Sequence, residues 1–154
     1  MEITEIWEKD SYLKPYKPVI WRRHQMRLDK ALQIRGTHDR LAHAINNHLY
    51  YGIHKTETGW ICREWAPNAV AIYLTGECNG WKKDPGYAFI PVGSGNWELI
   101  LPSGALQHGQ LYKWLIEWPG GSGERLPAYA RRCVQDPETK IFSAQVWDPA
   151  EPYR

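Results

Sequence analysis

Apolar positions change their spacing once along the chain. Up to residue 48 they recur at helical intervals. Ile20, His24, Leu28, Ala31 and Leu32 share a stripe, with Arg22, Arg23, Arg27, Asp29 and Lys30 on the other faces. Pro15 and Pro18 precede this run, where a helix start tolerates proline. Gly36-Thr37 breaks it, and a second short helix is predicted with Leu41, Ile45 and His48 aligned and Thr37 as its N-cap. From Leu49 the period falls to two. Residues 50–54 and 60–65 read as a hairpin around Glu57-Thr58-Gly59. Pro67-Asn68 is a turn, and the β-branched and aromatic run 69–74 is a strand. Residues 78–86 form a loop, with Asn79-Gly80 and Asp84-Pro85-Gly86 as turn formers. Residues 87–92 and 97–101 flank Gly93-Ser94-Gly95 as a second hairpin, 111–118 is a long apolar strand, 119–123 a flexible loop, and 141–147 a last strand. Six to eight short strands separated by Gly/Pro turns predict a mainly β protein. The expected fold is an immunoglobulin-like β-sandwich preceded by a short helical segment.

Length and charge restrict the function classes. At 154 residues the chain suits one domain with an appendage and is too short for a (β/α)₈ barrel, which needs about 250 residues. A net charge of +2 argues against a dedicated nucleic-acid binder. No apolar stretch approaches the roughly 18 residues of a membrane span, so neither nucleic acid nor membrane is an expected partner. Cys62, Cys78 and Cys133 fit neither a disulfide framework nor a zinc pattern. With no secretory signal at the start, a reducing, cytoplasmic setting is the expectation. The proline-spaced segment 147–154 reads as a linker.

The aromatic inventory is skewed: 9 Trp and 9 Tyr against 2 Phe. Trp and Tyr combine an apolar face with a polar handle and are favoured where a surface is half wet, which points to binding. Enzyme signatures are absent: there is no G-x-S-x-G, H-E-x-x-H, P-loop or G-x-G-x-x-G. His38, His43 and His48, five apart, drift around a helix instead of sharing a face, so no metal site is expected. Cys62 reads as a buried, inert thiol. The most chemically suggestive segment is Thr75-Gly76-Glu77-Cys78-Asn79-Gly80-Trp81, a strand followed by a tight turn that presents an indole. Such a flat face suits the axial C–H groups of a sugar ring, with Asn79 and Lys82 or Lys83 beside it for hydroxyls. The same Trp81 is equally suited to cap the sandwich core.

Three segments carry a family resemblance: Tyr51-Gly52-Ile53-His54, Arg63-Glu64-Trp65-Ala66-Pro67-Asn68-Ala69, and Ile72 through Trp81. With Tyr112-Lys113-Trp114 and the exit Trp147-Asp148-Pro149 followed by Pro152-Tyr153, they closely resemble the N-terminal part of 1,4-α-glucan (glycogen) branching enzymes. The resemblance covers nearly the whole chain. It implies a helical segment over 1–48, an early-set immunoglobulin-like sandwich of carbohydrate-binding module family 48 over 49–147, and over 148–154 the start of a linker to a catalytic (β/α)₈ barrel that this chain does not contain.

The implied function is a non-catalytic module that positions α-1,4-glucan for that barrel, with no catalytic residue and no cofactor of its own. The implied partners are glycogen or a related α-1,4-glucan and the barrel of the same polypeptide. The alternatives are a structural domain that packs on the barrel without binding glucan, or the equivalent module of a debranching or isoamylase-type enzyme. Related glycogen-binding modules grip glucan with two tryptophans and a lysine. By that likeness Trp81 is the first tryptophan and Lys113 the lysine, with Asn79 beside them. The second tryptophan has no counterpart in the stretch 119–125, which leaves Trp118 at a strand end as the nearest substitute. Thr139 matches a polar position near the last strand, Ile141 departs from one, and Cys78 replaces a phenylalanine. Weak glucan binding, or none at this site, is the resulting expectation.

Overall fold

The computed structural model describes residues 4–36 and 45–150, which fall into two compact units divided between Asn46 and Asn47. The first unit is helical: α1 (Thr4–Lys9), a 3-10 turn (Ser11–Tyr16) and α2 (Lys17–Arg35). Asp10 caps the 3-10 turn, its carboxylate accepting from the Tyr12 N–H at 3.0 Å. Pro18 sits in the first turn of α2, where its missing N–H has no intrahelical partner to lose. Gly36 closes the helix at φ 56°, donating to Leu32 O. Trp7 is buried, with the Lys17 ammonium 5.7 Å from its ring centre. No side chain of α2 is buried, and most of its large apolar residues, among them Trp21, Met26 and Leu32, are exposed.

The helix predicted from Thr37 lies mostly outside the described residues. Ile45 and Asn46 are not helical, and only the single turn α3 (Asn47–Tyr50) is.

The second unit is a sandwich of two antiparallel sheets. The first has the order β1-β2-β5-β4, with β1 Gly52–Lys55, β2 Gly59–Trp65, β4 Ile90–Gly93 and β5 Asn96–Pro102. The second has the order β3-β6-β9-β8, with β3 Ala71–Gly76, β6 Leu111–Trp118, β8 Cys133–Gln135 and β9 Phe142–Gln145. One further strand, β7 (Gly121–Arg125), pairs with β6. Period two holds along the central strands: Trp60, Cys62 and Glu64 of β2 face inward, as do Trp97, Leu99 and Leu101 of β5 and Tyr112 and Trp114 of β6. Trp114 is fully buried between the sheets, with Phe89 edge-on at 4.9 Å between ring centres and Tyr112 at 5.1 Å.

Two elements differ from the sequence expectation. Residues 119–123 are no flexible loop: only Pro119-Gly120 turns, and β7 follows as an edge strand. Its glycines carry no alternating side chains, yet their backbone completes the ladder that Leu115, Ile116 and Glu117 leave open. The strand β8 is three residues long, too short for a periodic signal, and is held by register with β9.

Candidate functional site

The site grows from the end of β3. Gly76 passes so close to β6 that a Cβ there would sit 2.5 Å from Leu111 O. The chain then turns through Glu77–Asn79 in one 3-10 turn and continues with two consecutive residues at positive φ, Gly80 at 64° and Trp81 at 61°. Glycine adopts this region freely, whereas for a bulky residue it costs on the order of 1–3 kcal/mol. The loop over-determines that conformation. The Trp81 N–H donates to Gly76 O at 2.8 Å. Asn79 Oδ1 accepts from the Gly76 N–H at 3.0 Å, while its amide donates to Leu74 O at 2.9 Å and Lys82 O at 3.1 Å. Both amide protons of Asn79 and one lone pair of its carbonyl oxygen are thus spent on the backbone. The residue holds the loop, instead of standing free for hydroxyls as its place in the sequence suggested.

Trp81 emerges from this loop 40 % exposed, beside the outer face of the second sheet. Lys113 lies on that face because it alternates with the buried Tyr112 and Trp114. Its ammonium is 5.8 Å from the Trp81 ring centre and 2.8 Å from Glu124 Oε2 on β7. A cleft of about 360 Å³ runs from these two residues toward β8 and β9. Leu111, Val134, Pro137 and Ile141 give it apolar walls, and Gln135, Asp136, Thr139 and Ser143 supply polar groups.

The β8–β9 turn is built on Asp136, whose carboxylate accepts from the Glu138 N–H at 3.0 Å and the Thr139 N–H at 2.7 Å. It also accepts from the Thr139 hydroxyl at 2.9 Å. These bonds, those from Thr139 first, hold the Asp136 carboxyl below its usual range. Lys83 is occupied elsewhere: its ammonium is 2.6 Å from Glu117 Oε1 and 4.7 Å from the Tyr73 ring centre. That hydrogen bond to Glu117 is the main reason its ammonium is held above the usual lysine range.

The structure brings Trp81, Lys113, Thr139 and Ile141 together and leaves Trp118 out. Trp118 and Lys113 are five apart on one strand, so they take opposite faces. The Trp118 indole covers Gly121 and Gly123 of β7, with the Arg125 guanidinium 5.2 Å from its ring centre. The odd spacing was the signal that separates it from the cleft. Gln135 and Ser143 in the cleft, and Glu124 beside Lys113, carry no sequence signal, because only the pairing of β7, β8 and β9 places them. Among the described residues no cluster of His, Cys, Asp and Glu could hold a metal ion, and no helix is long and apolar enough to cross a membrane.

The chain is 29% identical over 156 residues to a 1,4-alpha-glucan-branching enzyme of Dictyostelium discoideum, a match covering 97% of this chain and 23% of that protein. It is 30% identical over 165 residues to the enzyme of the same name from Equus caballus, covering 99% of this chain and 23% of the relative. The chain therefore spans about a quarter of the length of these curated relatives. Among solved structures, the catalytic module of the multi-modular glycogen-degrading pneumococcal virulence factor SpuA superposes with a TM-score of 0.51 at 24% identity. That superposition covers 65% of this chain and 16% of that one, and it shares the fold. The family profile of carbohydrate-binding module 48 (isoamylase N-terminal domain) matches residues 50–130, just over half of the sequence and most of the sandwich, and the chain belongs to that family.

Proposed function

We propose that this chain is a non-catalytic module that holds linear α-1,4-glucan in the cleft beside Trp81, as the N-terminal part of a 1,4-α-glucan branching enzyme. The observation that carries the reading is the half-exposed Trp81 indole, fixed at φ 61° beside the Lys113 ammonium at the head of an apolar-walled cleft. Backbone strain of this kind persists where the surroundings enforce it and concentrates at binding sites. The indole supplies the stacking face, Lys113 donates to sugar oxygens, and Asn79 positions the loop. One platform without a second tryptophan opposite it gives weak affinity. A weak module still serves an enzyme, because a tether converts rebinding of a polymer into a local event.

Affinity electrophoresis in glycogen-containing gels tests this directly. The wild-type chain should be retarded and folded Trp81→Ala should run as in a glycogen-free gel. Equal retardation of both proteins would sink the assignment of the site.

A second reading is favoured by a separate observation. The outer face of the first sheet exposes Ile90, Ile100 and Trp65, at 60%, 68% and 56% of their surface. These apolar side chains flank the Arg63–Glu98 ion pair, 2.7 Å apart on the same face, and a mixed face of this kind suits packing against another domain of the same polypeptide. The two readings concern opposite sheets and are compatible.

A further inference from the structure

We propose that Glu124, paired with Lys113 beside the cleft, is a third sugar-contact residue: it accepts a hydrogen bond from a hydroxyl of the sugar ring that stacks on Trp81 while Lys113 donates to the neighbouring oxygen. The inference rests on the glucan reading above and adds to it the group that reads hydroxyl positions.

The placement comes from β7. Its antiparallel register sets Glu124 opposite Leu115, so its side chain shares the outer face of the sheet with Lys113. Glu124 Oε2 holds the Lys113 ammonium at 2.8 Å, and Oε1 has no hydrogen-bond partner among the described residues. The two side chains differ sharply in exposure: Lys113 is 13% exposed and Glu124 48%. The lysine, which lines the cleft, is therefore packed in, and the carboxylate lies outside that lining, joined to it through Lys113 and with one oxygen open.

Their hydrogen-bonding inventories are complementary. An ionised carboxylate only accepts, through about four lone-pair sites, and an ammonium only donates, through three protons. One lysine proton goes to Glu124, and the charge also lies over the electron-rich face of Trp81. That leaves a donor on Lys113 and an acceptor on Glu124 side by side. A vicinal diol of a pyranose offers the matching pair: an O–H to give and an adjacent oxygen to receive. Because Glu124 sits on a hydrogen-bonded strand, little ordering entropy remains to be lost on binding. An ion pair at the surface contributes little to stability, so fold maintenance alone gives no account of this arrangement.

The test uses two ligands that offer the same rings for stacking. β-Cyclodextrin carries free 2- and 3-hydroxyls, and heptakis(2,3-di-O-methyl)-β-cyclodextrin has none of them to donate. Isothermal titration of the whole chain should show the unmodified ring binding about tenfold tighter, the worth of one charge-assisted hydrogen bond at a wet site. In Glu124→Ala the two ligands should fall within about twofold of each other, through loss of affinity for the unmodified ring alone. Glu124→Gln keeps an acceptor oxygen without the charge and should lie between. A Glu124→Ala chain that weakens both ligands equally would show that the carboxylate only positions Lys113, and one that keeps the tenfold ratio would show that it contacts nothing. Either result overturns the inference while leaving the glucan reading intact. Failure of the wild-type chain to bind either ligand removes the glucan reading itself.

Discussion

Glu64 Oε2 accepts the indole N–H of Trp114 at 2.9 Å across the interior of the sandwich, joining β2 of one sheet to β6 of the other. Its second oxygen accepts the Trp65 N–H at 3.0 Å. Glu64 is 6% exposed and Trp114 is fully buried. A carboxylate in such a place is tolerable only because both of its oxygens are engaged, and the bond in turn satisfies an indole N–H that has no water to meet.

Removing either partner therefore strands the other. Glu64→Ala should lower unfolding stability by about 2–4 kcal/mol, combining a cavity with an unpaired buried indole N–H and an unpaired part-buried backbone N–H. Glu64→Gln keeps the volume but turns an amide N–H toward a donor, and should cost about 1–3 kcal/mol. Urea denaturation followed by tryptophan fluorescence reads both. An unchanged midpoint for Glu64→Gln would show that the bond carries no stability.

The same pairing explains part of what the sequence made legible. The excess of Trp over Phe points to binding, but most strand tryptophans spend their polar handle on the chain itself. Trp60 donates to Ser103 O, Trp65 to Ser94 O, and Trp97 to Ala66 O, at 3.0–3.1 Å. Each indole packs and pins a turn or a neighbouring segment at once, which phenylalanine cannot do. Period-two patterning revealed β2, β5 and β6 because each buries one face. It missed β7, where Gly121 and Gly123 have no side chains to alternate, and β8, which is three residues long. Within the site, Trp81 and Lys113 were visible as residue types in a motif. Glu124 was not, because its nearness to Lys113 is a consequence of strand pairing eleven residues away.

The three cysteines should separate by reactivity. Cys133 is exposed, Cys78 half-buried and Cys62 fully buried. Burial pushes the Cys62 thiol far above the usual cysteine range and raises Cys78 to a lesser degree. Ellman titration at neutral pH should give one fast thiol, lost in Cys133→Ser, with Cys62 reacting only after denaturant is added. Fast modification of Cys62 in the native chain would contradict the burial.

Asp136 gives the cleft turn an acid limit. Its folded carboxyl is held below the usual 3.8 by the bonds from Thr139 and Glu138. A lowered folded value stabilises the turn above the unfolded aspartate range, and that contribution fades as pH falls through the folded value. Asp136→Asn should therefore melt below the wild type at neutral pH, and the gap should close as the solution is acidified below pH ~4. Calorimetric Tm at a series of pH values checks it. A gap that is constant with pH would mean the amide merely replaces one acceptor geometry with another.

Gly76 couples the strand ladder to the sugar platform, and it offers a way to move Trp81 without touching it. Its N–H donates to Asn79 Oδ1, its carbonyl receives the Trp81 N–H, and the approach to β6 leaves no room for a side chain. A methyl group 2.5 Å from Leu111 O and 3.0 Å from Tyr112 Cα meets backbone, which cannot rotate aside. Gly76→Ala should push the 77–81 loop outward, break the Asn79 and Trp81 contacts, and release the indole from its positive φ. Such overpacking typically costs about 1–3 kcal/mol, here at the end of β3 against Tyr112, and the variant should still fold. Its near-ultraviolet circular dichroism should change, and its retardation in glycogen gels should fall toward that of Trp81→Ala. A folded Gly76→Ala chain that keeps wild-type retardation would show that glucan recognition does not depend on how this loop holds Trp81.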